Sequence, residues 1–355
     1  MRSIRRVGCL LLAFAMLLSM GMLTAFAQGA SKAASGKTYK TVTVIGDSLC
    51  TGYMIQKSEG TYVDHTHGKR IRASFPSRVA DGVNATVYNN YAREGSGTNE
   101  ILRLLEPDYV PDEYFRDVSN AVITKYFDGD KQFAAFQKKI QKDIRSSDLI
   151  LLNCGSNDLF ATVNTVLRKL MNYELDNVKS QFKRQVLLDL DATVTELIDD
   201  GQPAKAWATA YQVLSTINLA DDAVDALLEC AVKGYANFQK NWGRIATAIH
   251  EINPDATLVA ISLFNGTQGL GAIPGTDASI GNLLDPIFVG MNARIVSFNA
   301  VHNYYTYVDI NGVEHAAWPS LTTLLSDDFY TYMMLCTHPT KAGHKWIAKK
   351  VLKKI

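Results

Sequence analysis

The sequence predicts an α/β fold: a parallel sheet of about five strands covered by helices, with a helical insertion after the third strand. Two observations carry this. A β-rich run that breaks into a tight turn and then a helix start occurs twice, at residues 41–52 (TVTVIGDSLCTG) and 85–101 (ATVYNNYAREGSGTNEI). The run at 148–153 (DLILLN) is apolar without alternation, the pattern of a strand buried on both faces of a parallel sheet.

The first segment is the one around which the rest is organised. Val42, Val44 and Ile45 form a strand that stops at Gly46-Asp47-Ser48. A Ser at a helix start has its own backbone N–H free, because the first N–H groups of a helix lack an internal partner. With the helix dipole behind them, such groups suit a developing negative charge. One short stretch could thus supply a nucleophile and part of an oxyanion hole. The alternative is that Ser48 only caps the helix, as Ser and Asp commonly do.

Residues 60–73 carry His65, His67, Lys69 and Arg70. Two His at i, i+2 with no completing carboxylate read as a surface loop rather than a metal site. A short helix follows at 75–81 and a second strand at 85–89. That strand runs into Asn90 to Ile101, where Gly95 lets the backbone approach a ligand closely. Its N–H is a candidate second oxyanion donor, against a plain loop glycine. The third strand, 148–153, leads into Cys154-Gly155-Ser156-Asn157-Asp158, and Asn157 offers a side-chain amide. Ser48, Gly95 and Asn157 all fall at the carboxyl ends of strands, where open α/β sheets form their sites.

The insertion spans residues 160–232. Val178, Phe182, Val186, Leu190, Val194 and Leu197 recur at helical spacing until Gly201-Gln202-Pro203 breaks the pattern. Trp207, Tyr211, Leu214 and Ile217 mark a second helix. Val224, Leu227, Leu228 and Val232 mark a third, capped at Asp221-Asp222. The insertion leaves the sheet at its carboxyl edge. It reads either as a lid or acyl-binding wall over Ser48, or as a self-packed or partner-binding helical module.

From Tyr235, apolar residues at Phe238, Trp242, Ile245, Ile249 and Ile252 predict another helix, stopped by Asn253-Pro254. A fourth strand is predicted at 257–262, a helix at 291–300 and a fifth strand at 304–309. The loop 264–282 holds five glycines and could line the same cleft. After Gly343 the chain closes in a helix whose Trp346, Ile347, Val351 and Ile355 face inward. Lys349, Lys350, Lys353 and Lys354 sit near its negative end, a solvated and dipole-matched face.

Composition bounds the function. With 355 residues, 47% hydrophobic and 20% charged, the chain can bury a large core. A net charge of +1 and the lack of a basic run with interleaved aromatics in its body argue against nucleic acid as a partner. Residues 1–27 read as a signal peptide: Arg2, Arg5 and Arg6, an apolar run from Cys9 to Leu23, then Ala25-Phe26-Ala27 as the cleavage site. An uncleaved anchor is the alternative, but the apolar run is short for a span. Loss of three Arg and no acid leaves a net charge of −2. Residues 28–37 are a small, polar linker, and the mature protein is expected outside the cytoplasm with no stable membrane span. Cys50, Cys154, Cys230 and Cys336 remain. With no CxxC among them, they are read as free, mostly buried thiols.

The motifs together resemble the SGNH hydrolase superfamily, the GDSL-type esterases and lipases. Four blocks match in order: Gly46-Asp47-Ser48-Leu49, Asn90 to Glu100 around Gly95, Gly155-Ser156-Asn157-Asp158, and His338-Pro339-Thr340-Lys341-Ala342-Gly343-His344. The likeness covers residues 38–160 and 233–355, within a domain of 38–355 interrupted by the insertion. It implies a three-layer α/β/α sandwich of the flavodoxin-like kind. It also implies Ser48 as nucleophile, His338 as general base, and the Ser48 N–H, the Gly95 N–H and the Asn157 amide as oxyanion donors. No metal or cofactor is implied. Expected substrates are lipid or other small-molecule esters, with acylated carbohydrate as the alternative. A weakly active or non-catalytic binding protein on the same scaffold is the reading of another class.

One position departs from the family. Where it usually has Asp, three residues before the His, this chain has Leu335. An acid that orients the imidazole can be worth about four orders of magnitude in rate. A backbone carbonyl, Asp327 or Asp328 could serve instead, or activity could be weak.

Overall fold

A computed structural model describes residues 37–53, 55, 70–160, 220–266, 268, 280–313 and 338–355, with a few isolated positions between 189 and 209. The expected signal peptide and linker, the 60–69 part of the His65/His67 loop, most of the expected insertion, and Asp327, Asp328, Leu335 and Cys336 lie outside the described residues.

Five parallel strands form one sheet in the order β2-β1-β3-β4-β5. They are β1 Thr41–Gly46, β2 Val87–Asn90, β3 Leu149–Asn153, β4 Thr257–Ile261 and β5 Thr306–Val308. The apolar runs force this arrangement, since a strand with no polar face must be covered on both sides. Ile45, Ile150, Leu152, Leu258 and Ala260 face one helical layer; Val42, Val44, Leu149, Leu151, Val259 and Ile261 face the other. Each Val, Leu or Ile among them contributes roughly 1.5–3 kcal/mol on burial. The result is the expected three-layer α/β/α sandwich.

Among the described residues the helices are α1 Ser48–Thr51, α2 Phe75–Gly82, α3 Thr98–Leu105, α4 Glu113–Tyr126, α5 Asp130–Arg145, α6 Ser156–Phe160, α7 Ala220–Ile252, α8 Ile280–His302 and α9 Lys341–Leu352. One layer is built from α3, α5, α7 and α8 and the other from α2 and α9.

Three expectations are adjusted. The helix expected after Asp221-Asp222 and the one expected from Tyr235 are a single 33-residue helix, α7. Nothing between them breaks the helix, since Gly234 is tolerated where another backbone crosses closely. Val232, taken as an inward position, is 50% exposed. The helix expected at 291–300 begins eleven residues earlier, at Ile280, and carries Pro286 inside it. At the C-terminus the expectation holds: Ile347 and Val351 are buried, and Trp346 and Ile355, partly covered, pack against the same cluster.

Candidate functional site

β1 delivers the site's first residue. Gly46 closes the strand where a Cβ would lie 2.3 Å from the Asn153 carbonyl, so only glycine lets β1 and β3 stay in register there. Asp47 then caps α1: its Oδ1 accepts the Leu49 N–H at 2.9 Å. The capping task left open for Ser48 thus falls to Asp47, and the Ser48 hydroxyl is available for other work. Its partner is His338, whose Nε2 lies 2.8 Å from Ser48 Oγ across 290 residues of sequence. α1 is only four residues long, so its free N–H groups matter more than any summed dipole.

His338 sits just before α9. Thr340 caps that helix by accepting the Gly343 N–H at 3.3 Å, which fixes the His338-Pro339-Thr340 entry. The ring of Tyr53 meets His338 in a T-shaped contact, centroids 5.0 Å apart. Tyr53 was not singled out in the sequence; its position just after Gly52, a glycine that ends α1 in the left-handed conformation, was the available signal.

The second block is laced to the first. The Tyr91 N–H donates to Val44 O at 2.9 Å, the Arg93 N–H to Gly46 O at 3.1 Å, and Asn90 Nδ2 to Cys50 O at 3.0 Å. Gly95 follows two residues later with φ at +81°, a left-handed conformation that favours glycine. Among the described residues nothing accepts the Ser48 or Gly95 N–H. Asn157 Nδ2 donates to Ser96 O at 3.1 Å, which joins the second and third blocks. An amide NH₂ has two hydrogens, so one stays available to a ligand. Ser48, Gly95, Asn157 and His338 are all partly exposed, while the groups behind them are buried.

Those groups are strongly perturbed. Burial pushes the Asp47 carboxyl up to about 7, against the pull of the Leu49 N–H. Burial also pushes Asp158 up to about 7, against the hydrogen bonds from Thr98. Burial first, then His338 and Arg78, pushes His344 down to about 3. Its Nδ1 accepts the Phe75 N–H at 3.2 Å, and its ring stacks on that of Phe75. Cys50, Cys154 and Cys230 are buried, as expected; Cys230 Sγ lies 2.8 Å from the Tyr114 hydroxyl, and burial pushes the thiols of Cys50 and Cys154 up. Among the described residues no group of three or more His, Cys, Asp or Glu could hold a metal ion.

A hydroxyl hydrogen-bonded to an imidazole, at the carboxyl edge of a parallel sheet and close in sequence to N–H groups that have no acceptor among the described residues, is an arrangement that can carry out acyl transfer. The chain belongs to the family described as GDSL-like Lipase/Acylhydrolase, whose family model matches residues 42–351. It is therefore a hydrolase acting on esters. No curated protein matches it. Among solved structures it is similar to an extracellular lipase from Streptomyces rimosus, at 15% identity, TM-score 0.47, 89% of this chain and 97% of that one. It is similar to a phospholipase A1 from Streptomyces albidoflavus, at 14% identity, TM-score 0.47, 90% of this chain and 100% of that one. An acetyl xylan esterase from Butyrivibrio proteoclasticus aligns at 12% identity, TM-score 0.36, 89% of this chain and 63% of that one.

Proposed function

We propose that the chain is an exported serine hydrolase that cleaves carboxylic esters, in the manner of a lipase or acylhydrolase, through an acyl-serine at Ser48. The observation that carries this reading is the 2.8 Å contact between Ser48 Oγ and His338 Nε2. Export is supported by the signal-peptide pattern of residues 1–27.

In the first half-reaction His338 Nε2 takes the Ser48 proton as Oγ bonds to the ester carbonyl carbon. The carbonyl π electrons move onto oxygen, and the oxyanion is held by the Ser48 N–H, the Gly95 N–H and the Asn157 amide. Collapse of this intermediate breaks the carbon–alkoxy bond, and the leaving alcohol takes the proton from His338. Water then repeats the sequence, releasing the acid and restoring Ser48. Asp47 acts by fixing the turn that presents the hydroxyl.

The test is initial rates on para-nitrophenyl esters from acetyl to palmitoyl, with Ser48→Ala alongside. Turnover in the natural chain and background rates in Ser48→Ala are expected. Long-chain preference supports a lipid-like acyl group, and an acetyl preference moves the substrate to acylated carbohydrate. Full activity in Ser48→Ala overturns the reading.

A further inference from the structure

The helix that returns from the insertion passes directly behind the oxyanion donors, and its contact there is polar. Asn237 and Asn241 lie one turn apart on α7, both buried, beside the fully buried Phe238 and Trp242. Asn237 Nδ2 donates to Asp158 Oδ1 at 2.5 Å and to Thr98 Oγ1 at 3.1 Å. Asn241 Nδ2 reaches Thr98 Oγ1 at 3.1 Å, Asn99 Oδ1 at 3.0 Å and Asn237 Oδ1 at 3.1 Å. Asp158 in turn accepts the Thr98 N–H at 2.8 Å and the Thr98 hydroxyl at 2.5 Å.

The backbones here interlock. A Cβ on Gly234 of α7 would stand 2.1 Å from Asp158 O, and one on Gly97 would stand 2.9 Å from Asp158 Oδ2. Asp158 directly follows Asn157, and Thr98 lies three residues beyond Gly95. Ser96 O is held by Asn157. The 95–98 segment is therefore pinned twice to the 157–158 segment, and that pair of pins is held from behind by α7. No cation belongs to this cluster among the described residues, so the Asp158 carboxyl depends on dipolar donors, and Asn237 is the one supplied from α7.

We propose that Asn237 is a positioning residue for the oxyanion hole: through Asp158 and Thr98 it fixes the Gly95 N–H relative to the Asn157 amide. This rests on the reading of Ser48, Gly95 and Asn157 given above. Oxyanion donors stabilise charge only where it develops, so a displacement of about 1 Å can cost about a hundredfold in rate. Substrate contacts outside the hole are left alone, so the loss falls on kcat rather than KM.

The experiment uses the full mature chain with Asn237→Leu, close in volume but without a donor, and Asn237→Ala, which adds no bulk. Each folded variant is assayed well below its own melting temperature for kcat, KM and the inhibition constant of an alkyl boronic acid, which forms a tetrahedral adduct on the serine. The expected result is a 10- to 100-fold fall in kcat, KM within about twofold, and a boronate constant raised in step with the fall in kcat. A structural role alone would lower the melting temperature and leave kcat and boronate affinity unchanged; that result overturns the proposal. Failure of both variants to fold overturns it too, by assigning Asn237 to folding. Ser48→Ala separates the two readings. If natural turnover survives that change, the site reading falls and the proposal with it. If turnover is lost in Ser48→Ala but kept in the Asn237 variants, the proposal alone falls.

Discussion

At the scale of single residues, the division of labour between Asp47 and Ser48 is the most informative feature. Both are good helix caps, and sequence could not say which one caps. The structure gives the task to Asp47, which frees Ser48 for His338. Gly95 is the other residue whose conformation carries meaning. Among the described residues a Cβ there would meet only Val122 Cγ2, at 3.9 Å, so none of them demands glycine for space; the φ of +81° does. Gly95→Ala is therefore expected to act through backbone strain, about 1–2 kcal/mol for a left-handed L-residue. Relief of that strain would turn the N–H away from the oxyanion, so we expect kcat to fall about tenfold or more while the protein stays folded. Parallel kcat and melting measurements check this, and an unchanged kcat would remove Gly95 from the hole. The candidate residues Ser48, Gly95, Asn157 and His338 could be picked out because each lies in a short motif at a strand end or a helix start. Asn237 and Tyr53 could not: a polar residue beside an apolar helix stripe, or a Tyr after a turn, has meaning only once its distant partners are known.

At the scale of elements, the strands were read well and the helices less so. Apolar and β-rich runs between turn residues located the five strands of the described residues within about two residues at either end. Between the second and third strands, α4 and α5 were not anticipated, because their buried faces are sparse: Phe115 and Ser119 on one, Phe133, Gln137, Ile140 and Ile144 on the other. A stripe with Ser or Gln in it loses its period. The contact between α9 and α2 shows how element packing can carry a pH dependence. His344 of α9 is buried against Phe75 of α2 and held neutral, its pKa near 3 against an ordinary 6.5. Between those values the unfolded chain binds a proton that the folded chain does not, so stability drops as pH falls. The slope from this group is about 1.4 kcal/mol per pH unit below pH 6.5. Asp47 and Asp158, both raised to about 7, work the other way and add stability as pH falls from 7 toward 4. His344→Phe isolates the first effect, since both chains keep the acids. Denaturant unfolding at stepped pH should show the natural chain losing stability relative to His344→Phe from pH 6.5 downward. Parallel curves would contradict the account of His344.

At the scale of the whole molecule, the sheet order places the first three site segments side by side. β1 lies between β2 and β3, so the turns after these strands meet at one edge. The chain then has to travel from β3 through α7, α8 and β5 before α9 brings His338 back to Ser48. This wide separation explains why the fold and the site were legible together: the motifs are spaced as the topology requires. The group that orients His338 was not legible, because Leu335 stands in its usual place and spacing cannot say which distant oxygen substitutes. None of the described helices is long and apolar enough to cross a membrane. The central claim is that Ser48 is an activated nucleophile beside a working oxyanion hole. The most direct measurement is treatment of the folded protein with a fluorophosphonate, followed by peptide mass mapping. The account predicts one adduct, on Ser48, formed in step with the loss of esterase activity and absent from His338→Ala on the same timescale. Labelling elsewhere, or activity that persists with Ser48 fully modified, would contradict it.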